Sequence, residues 1–378
     1  MTVLTGARVV TPDGVRDGGW VGVDGALITE VGTGPVLSAG AFEDLGGGWL
    51  VPGFIDLHVH GGGGHDFTSS AADLLAGVRY HQSRGTTRTL ASLMAGSLEA
   101  MSEQLGWIAD LAGKPDEHGV RVVGAHLEGP FLSAHRCGAQ NGEHLLVPDR
   151  QALTTLLEAG QGYVRTVTIA PELPGALELI AELVRAGVVA SVGHTDADYD
   201  QATAGFAAGA SLATHLFNAM SPVNHRSPGA AVAALESGAA FELINDGMHV
   251  HEAMIALAAR SGRGSLVLVT DAISATGVGD GDYSLGGLPV TVVDGKAVGT
   301  LSGSLAGSTL TMDEAFRRAV VEVGLSIEQA SAAASGNPAR VLGLTDRCGR
   351  IAVGLDADLV HLDEDFRLRR VMVGGSWL

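Results

Sequence analysis

Eight apolar stretches of this chain have the character of buried strands, and most of them end in a side chain that can bind a divalent metal. They cover residues 53–60, 87–93, 121–128, 164–170, 188–194, 212–218, 241–247 and 265–271. Helical patterns separate them, among them Ala72 to Arg84 and Leu98 to Leu111. The polar ends are spread over more than 200 residues, so they can meet only if the fold gathers the strand ends at one place.

The apolar stretches predict a parallel sheet. A continuous run such as Ser265-Leu-Val-Leu-Val269 is typical of a strand that is buried on both faces. Eight strand–helix units predict a TIM-type (β/α)₈ barrel. A doubly wound open sheet is the alternative, but its site would use only two or three strand ends. Polar groups end nearly all of the strands, which favours the closed barrel.

Both ends of the chain differ from this central pattern. Residues 1–50 and 343–378 contain short strands and turns, and neither segment can bury a core alone. We therefore expect one small β-sandwich domain built from both termini. Residues 51–342 would form the catalytic barrel, with a β-hairpin insertion near 283–300.

Composition narrows the classes of partner and compartment. A net charge of −19 without a basic run argues against nucleic acid and anionic membranes as partners. Residues 1–20 lack the features of a signal peptide, and the apolar runs fall short of the roughly 20 residues of a membrane span. Cys137 and Cys348 are the only cysteines, too few for a zinc ribbon or a secreted disulfide framework. We therefore expect a cytoplasmic protein.

Three polar residues alternate at the first strand. Asp56, His58 and His60 would face the same side of it, since side chains on a strand repeat every second residue. Polar groups inside a barrel are costly unless they are bonded. A bound metal would satisfy them, and so would a hydrogen-bonded polar patch.

Three further candidates end later strands. Glu128 closes the third strand, His194 the fifth and His215 the sixth. One such histidine alone is more often an ordinary core or surface residue. Their joint occurrence at strand ends indicates a metal site, because a glutamate with two histidines is a catalytic zinc set that leaves a position for water.

Asp271 ends the eighth strand after an apolar run. It could cap the following helix. The alternative is a general base beside a metal, because the metal lowers the pKa of a nearby water towards about 7 and a carboxylate within reach can accept the released proton.

At this point the chain resembles a known family. The motifs that carry the resemblance are Pro52-Gly-Phe-Ile-Asp-Leu-His-Val-His60, His126-Leu-Glu-Gly-Pro-Phe131, Gly193-His-Thr195, Thr214-His-Leu-Phe-Asn-Ala-Met220, Asp246-Gly-Met-His249 and Thr270-Asp-Ala272. Together they resemble the amidohydrolase superfamily, and within it the deacetylases of N-acetylglucosamine 6-phosphate. The second and fourth motifs discriminate, whereas His-x-His marks only the superfamily.

The resemblance implies a metal-dependent deacetylation that yields glucosamine 6-phosphate and acetate. The metal would be held by Glu128, His194 and His215. A second metal would use His58 and His60 together with the eighth-strand aspartate, so one or two ions are expected. Zinc is expected first, and iron, cobalt or manganese would also bind. Asp271 would be the catalytic base, which takes the water proton and passes it to the leaving amine.

The resemblance also implies contacts with the phosphate. Asn218 and Ala219 would lie near the sugar phosphate. Arg226, assisted by His225, would bind the 6-phosphate from the second subunit of a homodimer. A guanidinium suits this role because it matches phosphate with paired hydrogen bonds.

Other implied contacts concern the sugar and the acetyl group. His249 would contact the sugar, and the turn of Leu305, Ala306 and Gly307 would lie over the acetyl side. Gln140 replaces a histidine of some relatives. A neutral amide cannot relay a proton, so we assign Gln140 to binding only. Cys137, in the same loop, is either an ordinary small residue or a redox-sensitive thiol.

Two alternatives remain open. The chain could be another amidohydrolase, such as a cyclic amidase or an N-acyl amino acid deacylase. Many of those bridge two metals with a carbamylated lysine, and neither Lys114 nor Lys296, the only lysines, ends a barrel strand. A catalytically silent barrel that serves as a binding protein is the other alternative. The presence of every ligand and of Asp271 argues against it.

Overall fold

The structure is a computed structural model, and it describes residues 1–36, 40–114 and 120–378. Among these residues, none of the helices combines the length and the apolar character that crossing a membrane requires.

Among the residues that the structure describes, seven strands precede the barrel. They are β1 (Thr2–Thr5), β2 (Arg8–Thr11), β3 (Gly14–Arg16), β4 (Gly19–Asp24), β5 (Leu27–Thr33), β6 (Ala41–Asp44) and β7 (Trp49–Pro52).

Strands and helices then alternate through the centre of the chain. In order they are β8 (Phe54–Asp56), β9 (Gly61–Gly62), β10 (His65–Asp66), α1 (Ala71–Ser83), β11 (Thr86–Met94), α2 (Leu98–Gly113), β12 (Val122–Glu128), α3 (Arg150–Ala159), β13 (Val164–Ile169), α4 (Ala176–Arg185), β14 (Val189–Val192), α5 (Tyr199–Ala207), β15 (Leu212–Ala213), α6 (Gly229–Ser237), β16 (Ala240–Ile244), α7 (Glu252–Ser261) and β17 (Leu266–Val269). Two short 3₁₀ helices, Ala134–Arg136 and Gly142–His144, lie in the loop after β12.

The remaining elements follow β17. They are β18 (Gly281–Leu285), β19 (Leu288–Val293), β20 (Lys296–Gly299), α8 (Met312–Val321), α9 (Ile327–Ser331), a π-helical turn (Ala332–Gly336), α10 (Asn337–Val341), β21 (Leu359–Leu362), β22 (Leu368–Val373) and β23 (Ser376–Trp377).

Eight parallel strands form the barrel, in the order β8, β11, β12, β13, β14, β15, β16 and β17. Closure takes place just beyond the ends of β8 and β17. There Val59 pairs in parallel with Ala272, and the Asp271 amide donates to the His58 carbonyl over 2.8 Å. The predicted TIM-type barrel is confirmed, and the open-sheet alternative is wrong because the segments just beyond the first and last strands pair with each other.

Several of the helices begin where the sequence supplies an N-cap. Ser70 caps α1, Ser97 caps α2, and Asp198 forms a reciprocal capping box with Gln201 at the start of α5. Helix α4 shows how these helices cover the sheet, since its buried residues recur at helical spacing along one face, from Ala176 to Leu183. The helices thus shield the outer barrel surface and leave the strand ends free for chemistry.

Two terminal sheets pack against each other. One has the order β5, β4, β1, β6, and the other has the order β23, β22, β21, β7, β2, β3. Leu4 and Val21 from the first sheet share a buried cluster with Leu50 and Leu359 from the second. Strands from both ends of the chain therefore form one β sandwich, as the fold prediction stated. The exact domain boundaries stay a prediction.

The insertion after β17 contains one strand more than predicted. Strands β18, β19 and β20 form a three-stranded antiparallel sheet, whereas the sequence predicts a hairpin near 283–300. Gly281–Leu285 carries mostly polar side chains, so its strand character is weak in the sequence. The buried side of this sheet packs near the site through Leu285 and Val290.

Candidate metal centre and active site

The candidate ligands stand at or just beyond the carboxyl ends of barrel strands. Glu128 is the last residue of β12, whereas His194 and His215 follow the ends of β14 and β15 by two residues. His194 has φ 48°, His215 has φ 27° and Asp271 has φ 51°, a left-handed conformation that is uncommon for residues other than glycine. The chain thus turns sharply at these residues, and such strain is concentrated at functional sites.

Glu128, His194 and His215 form the first ligand group. The Glu128 Oε1 atom lies 3.0 Å from His194 Nε2 and 3.1 Å from His215 Nε2. The two Nε2 atoms are 3.1 Å apart, and all three side chains are buried. The predicted metal ligands therefore converge from strands β12, β14 and β15.

His58, His60 and Asp271 form the second ligand group. The Nε2 atoms of His58 and His60 are 3.1 Å apart. Asp271 Oδ1 lies 3.3 Å from His60 Nε2 and 3.5 Å from His58 Nε2. Strand β8 already ends at Asp56, so the two histidines follow the strand and do not belong to it.

Glu128 connects the two groups. Its carboxylate also lies 3.3 Å from His58 Nε2 and 3.4 Å from His60 Nε2. One carboxylate thus contacts a ring nitrogen of all four histidines. Two ions held by these groups would be close neighbours.

The hydrogen bonds behind the ligands orient them. His194 Nδ1 bonds to the Arg136 carbonyl over 2.9 Å, and His58 Nδ1 lies 3.2 Å from Glu242 Oε2. Gln140 donates through Nε2 to Glu128 Oε2 over 2.6 Å. Such partners fix which ring nitrogen faces a metal.

Charge and burial shift the pKa values of the ligands. Burial lowers the pKa of His60, but Asp271 and Glu128 outweigh it and raise that pKa to about 9. Burial raises the pKa of Asp271, but His58 and His60 outweigh it and lower that pKa to about 2. Burial raises the pKa of Glu128 as well, but His58, His194 and His215 outweigh it and hold that pKa well below its usual value. The cluster therefore holds ionised carboxylates that demand positive charge.

This donor set fits divalent metal ions. Each group offers three ligand atoms within 4.8 Å of one another, and nitrogen with carboxylate oxygen suits zinc and its neighbours. The Nε2 atoms of His194 and His215 converge on one carboxylate oxygen, an arrangement that a shared cation explains. His60 Nδ1 and His215 Nδ1 are buried without a hydrogen-bond partner among the described residues, so only their Nε2 atoms are directed to the cluster.

A polar layer lies beneath the ligands. His126 bonds through Nδ1 to Ser92 and through Nε2 to Thr168, and Thr168 continues to Thr214 over 2.7 Å. Burial holds the pKa of His126 well below its usual value, so this histidine is neutral. Asp56 lies in the same interior and accepts from Thr270 over 2.6 Å. His126 and Asp56 thus have partners of their own.

A cavity of about 330 Å³ opens above the ligands. Most of the predicted site residues line it. They are His60, Glu128, Gln140, His194, His215, Asn218, Ala219, His249, Asp271, Leu305 and Gly307. His249 Nδ1 bonds to Asp246 Oδ2 over 2.6 Å, which leaves Nε2 for another partner.

Four predicted site residues lie elsewhere. His58 is fully buried below the cavity floor, and Ala306 packs into a core cluster beside it. His225 and Arg226 are exposed in the turn between Asn224 and Ser227 and do not line the cavity. Cys137 is half-buried and lines a neighbouring cavity of about 250 Å³.

Several lining residues were missed in the sequence. His135 and Arg136 stand on the cavity wall, in the irregular loop after β12 where periodicity gives no signal. Met94 and Leu285 contribute apolar surface. Glu242 was also missed, although a lone glutamate inside the apolar Phe241-Glu-Leu-Ile244 stretch was a usable signal.

Comparison with known proteins places this site in a family. Residues 49–378 match the amidohydrolase family. An N-acetylglucosamine-6-phosphate deacetylase of Bos taurus is 39% identical over 347 residues, which cover 88% of this chain and 84% of that protein. An N-acetylgalactosamine-6-phosphate deacetylase of Escherichia coli O157:H7 is 34% identical over 376 residues, which cover 99% of this chain and 98% of that protein.

A solved structure agrees with these relatives. It is an aspartate-to-alanine mutant of N-acetyl-D-glucosamine-6-phosphate deacetylase from Mycobacterium smegmatis in complex with N-acetyl-D-glucosamine 6-phosphate. Its TM-score is 0.94 at 41% identity, over 100% of this chain and 98% of that one. The chain therefore belongs to the amidohydrolase family, among its deacetylases of amino-sugar 6-phosphates.

Proposed function

We propose that this enzyme hydrolyses the acetamide of N-acetylglucosamine 6-phosphate to glucosamine 6-phosphate and acetate, with the help of a divalent metal. The observation that carries the proposal is the convergence of Glu128, His194, His215 and Asp271 at the floor of one cavity. That convergence supplies the chemistry of amide hydrolysis, and the relatives named above supply the substrate class.

Glu128, His194 and His215 would hold the ion. When bound, a divalent ion there would polarise the acetamide carbonyl and lower the pKa of a water molecule. Asp271 is buried and has a pKa of about 2, so its carboxylate is ionised at neutral pH and can accept a proton at the oxygen other than Oδ1, since Oδ1 faces His58 and His60. The same oxygen can then deliver the proton to the leaving amine nitrogen. Zinc is the metal we expect first.

Side chains on the cavity wall would position the sugar. His249 is held by Asp246 through Nδ1, so Nε2 can bond a sugar oxygen. Asn218 and Ala219 stand where the chain turns after β15, and Ala219 has φ 50°. Leu305 and Gly307 would close the acetyl side. Gln140 already donates to Glu128, so its binding role would include holding that ligand.

The phosphate would be bound across a homodimer. Arg226 lies on an exposed turn outside the cavity of its own chain, which suits an arginine that reaches into a neighbouring subunit. His225 would assist it. We further infer a cytoplasmic location, because two cysteines are too few for the disulfide framework that is typical of secreted proteins.

A second candidate substrate is the C4 epimer, N-acetylgalactosamine 6-phosphate. The relative from Escherichia coli O157:H7 carries that specificity in its name and matches over nearly its whole length. The two sugars differ only in the orientation of one hydroxyl. The acetamide chemistry would be identical for both.

A steady-state assay of acetate release tests the proposal. N-acetylglucosamine 6-phosphate should give the highest kcat/KM, followed by its C4 epimer, with unphosphorylated N-acetylglucosamine far lower. Chelator treatment should abolish turnover and zinc should restore it. A higher kcat/KM for an N-acyl amino acid would refute the substrate assignment. Unchanged activity in a preparation that elemental analysis shows to be free of metal would refute the metal dependence.

A further inference from the structure

Glu242 is a buried carboxylate with no part in the mechanism above. It lies in the middle of strand β16 and is 1% exposed. Its neighbours Phe241 and Leu243 pack into a core cluster with the outer helices. Because side chains alternate along a strand, Glu242 faces the barrel interior. A charge in that position requires a partner.

The partners of Glu242 belong to both ligand groups. Its Oε2 atom lies 3.2 Å from Nδ1 of His58, in the second group. The same oxygen accepts from the backbone amide of His215, in the first group, over 3.1 Å. One buried carboxylate therefore underlies both groups on the side away from the cavity.

We propose that Glu242 is a positioning residue, which holds His58 in the form that binds a second metal ion. A carboxylate can only accept, so His58 must carry its proton on Nδ1. The Nε2 lone pair is then free and faces His60 and Asp271, whose atoms lie 3.1 and 3.5 Å away. A chain built in this way binds two ions.

Glu128, Asp271 and Glu242 are all buried within the one cluster. A glutamine at residue 242 would fill the same space and still accept one hydrogen bond, so packing alone does not explain an acid.

The first group has an anchor that does not depend on Glu242. His194 is oriented by the Arg136 backbone carbonyl, and Glu128 is held by Gln140. Loss of the Glu242 charge should therefore weaken the second ion and leave the first. An amide at residue 242 can donate to Nδ1, which would move the His58 proton to Nε2 and block ligation.

Metal counting on the full-length protein tests the proposal. Glu242→Gln removes the charge, Glu242→Asp keeps a carboxylate, and Glu236→Gln removes the same charge from an exposed glutamate outside the site. Each protein is loaded with zinc, dialysed and measured by elemental analysis, with zinc affinity measured by competition with a chelator. Wild type and Glu236→Gln should hold two ions per chain.

Glu242→Gln should hold one ion, with the second bound about 10–100-fold more weakly. Glu242→Asp should recover part of that loss, which a purely structural role would not produce. Two tightly bound ions in Glu242→Gln, or a single ion in wild type, would overturn the proposal.

A second measurement needs no Glu242 variant and covers the case in which such variants fail to fold. Zinc-loaded wild type with ¹⁵N-labelled histidine should show the His58 signal, assigned by its loss in His58→Gln, protonated on Nδ1. A proton on Nε2 instead would overturn the proposal.

Both measurements use zinc alone, although the inference rests on the metal dependence of the proposed function. Two bound ions in a chain that releases no acetate from the sugar phosphates would refute the proposed function and leave Glu242 in its role. Normal acetate release by a wild-type chain that binds only one ion would support the proposed function and refute the role of Glu242.

Discussion

Replacing Asp271 by asparagine removes the proton-accepting carboxylate at the site, together with one candidate ligand of the second group. The two side chains have nearly the same shape, but only the carboxylate can take up a proton at neutral pH. Asparagine also tolerates the left-handed backbone at this residue, where φ is 51°. The backbone bonds that close the barrel here, from Asp271 to His58 and from Ser308 to Asp271, do not involve the side chain. The variant should therefore fold normally.

The magnitude follows from the role of the carboxylate. Asp271 has a pKa of about 2, so essentially all molecules carry the ionised base at pH 7 and all of them lose it in the variant. A positioned general base contributes roughly 10²–10⁴-fold to a rate. At about 1.4 kcal/mol per tenfold, this corresponds to about 3–5 kcal/mol of the activation barrier. We expect kcat to fall by that factor with little change in KM.

The assay is acetate release from N-acetylglucosamine 6-phosphate, with zinc content measured on the same preparation. Asp294→Asn is a matched control, because Asp294 also has φ 51° but lies on an exposed turn of the insertion. The control should keep wild-type rates. Asp271→Asn should keep the ion of the first group, since Glu128, His194 and His215 are unchanged. A kcat within tenfold of wild type in a metal-replete Asp271→Asn protein would refute the reasoning.

Three further predictions concern stability and assembly. Arg88 is buried between Asp356 and Asp358, so Arg88→Met should lower the free energy of unfolding by about 3 kcal/mol in urea titrations. Arg16 forms an exposed pair with Asp13, so Arg16→Met should change that free energy by less than about 1 kcal/mol. Equal effects of the two substitutions would contradict the burial argument. Burial lowers the pKa of His81 to about 4, below the pKa of a histidine in the unfolded chain, so the unfolded chain takes up this proton first as the pH falls. The free energy of unfolding should therefore fall by about 3 kcal/mol as pH drops from about 6.5 to 4. His81→Gln should flatten that part of the stability–pH curve, and an unchanged curve would contradict the assignment. Mixing inactive Arg226→Ala with inactive Asp271→Asn should restore up to about a quarter of wild-type activity if the arginine acts across a dimer. The reason is that about half of the dimers would be mixed and each mixed dimer would hold one intact site. No recovery of activity in verified mixed dimers would exclude the shared site.

The sequence predicted the barrel well because its signals are local. All eight barrel strands lie within the predicted stretches or differ from them by one residue at a border. Their apolar runs and the capped helices between them, such as α1 and α5, depend on neighbours close in the chain. The insertion was less predictable because β18 exposes polar residues on most of its length, and a strand of that composition is hard to distinguish from a loop.

The candidate ligands could be proposed from the sequence because motif and strand end coincide, but the groups that orient them could not. The Arg136 carbonyl that holds His194 is a backbone atom in an irregular loop. Every residue offers such an atom, so no residue type marks it. Glu242 did leave a signal, a charge within an apolar strand, yet its partner His58 is 184 residues away. Only the closed barrel reveals which histidine it serves.

The two ligand groups differ in their position relative to the closure of the barrel. The first group draws on β12, β14 and β15, where the strand ladder of the barrel wall is continuous. The second draws on His58, His60 and Asp271, which stand on either side of the junction between β8 and β17. That junction is made by a short pairing beyond the strands, between Val59 and Ala272. An ion in the second group would join both sides of it, so filling this group should stabilise closure of the barrel as well as the site.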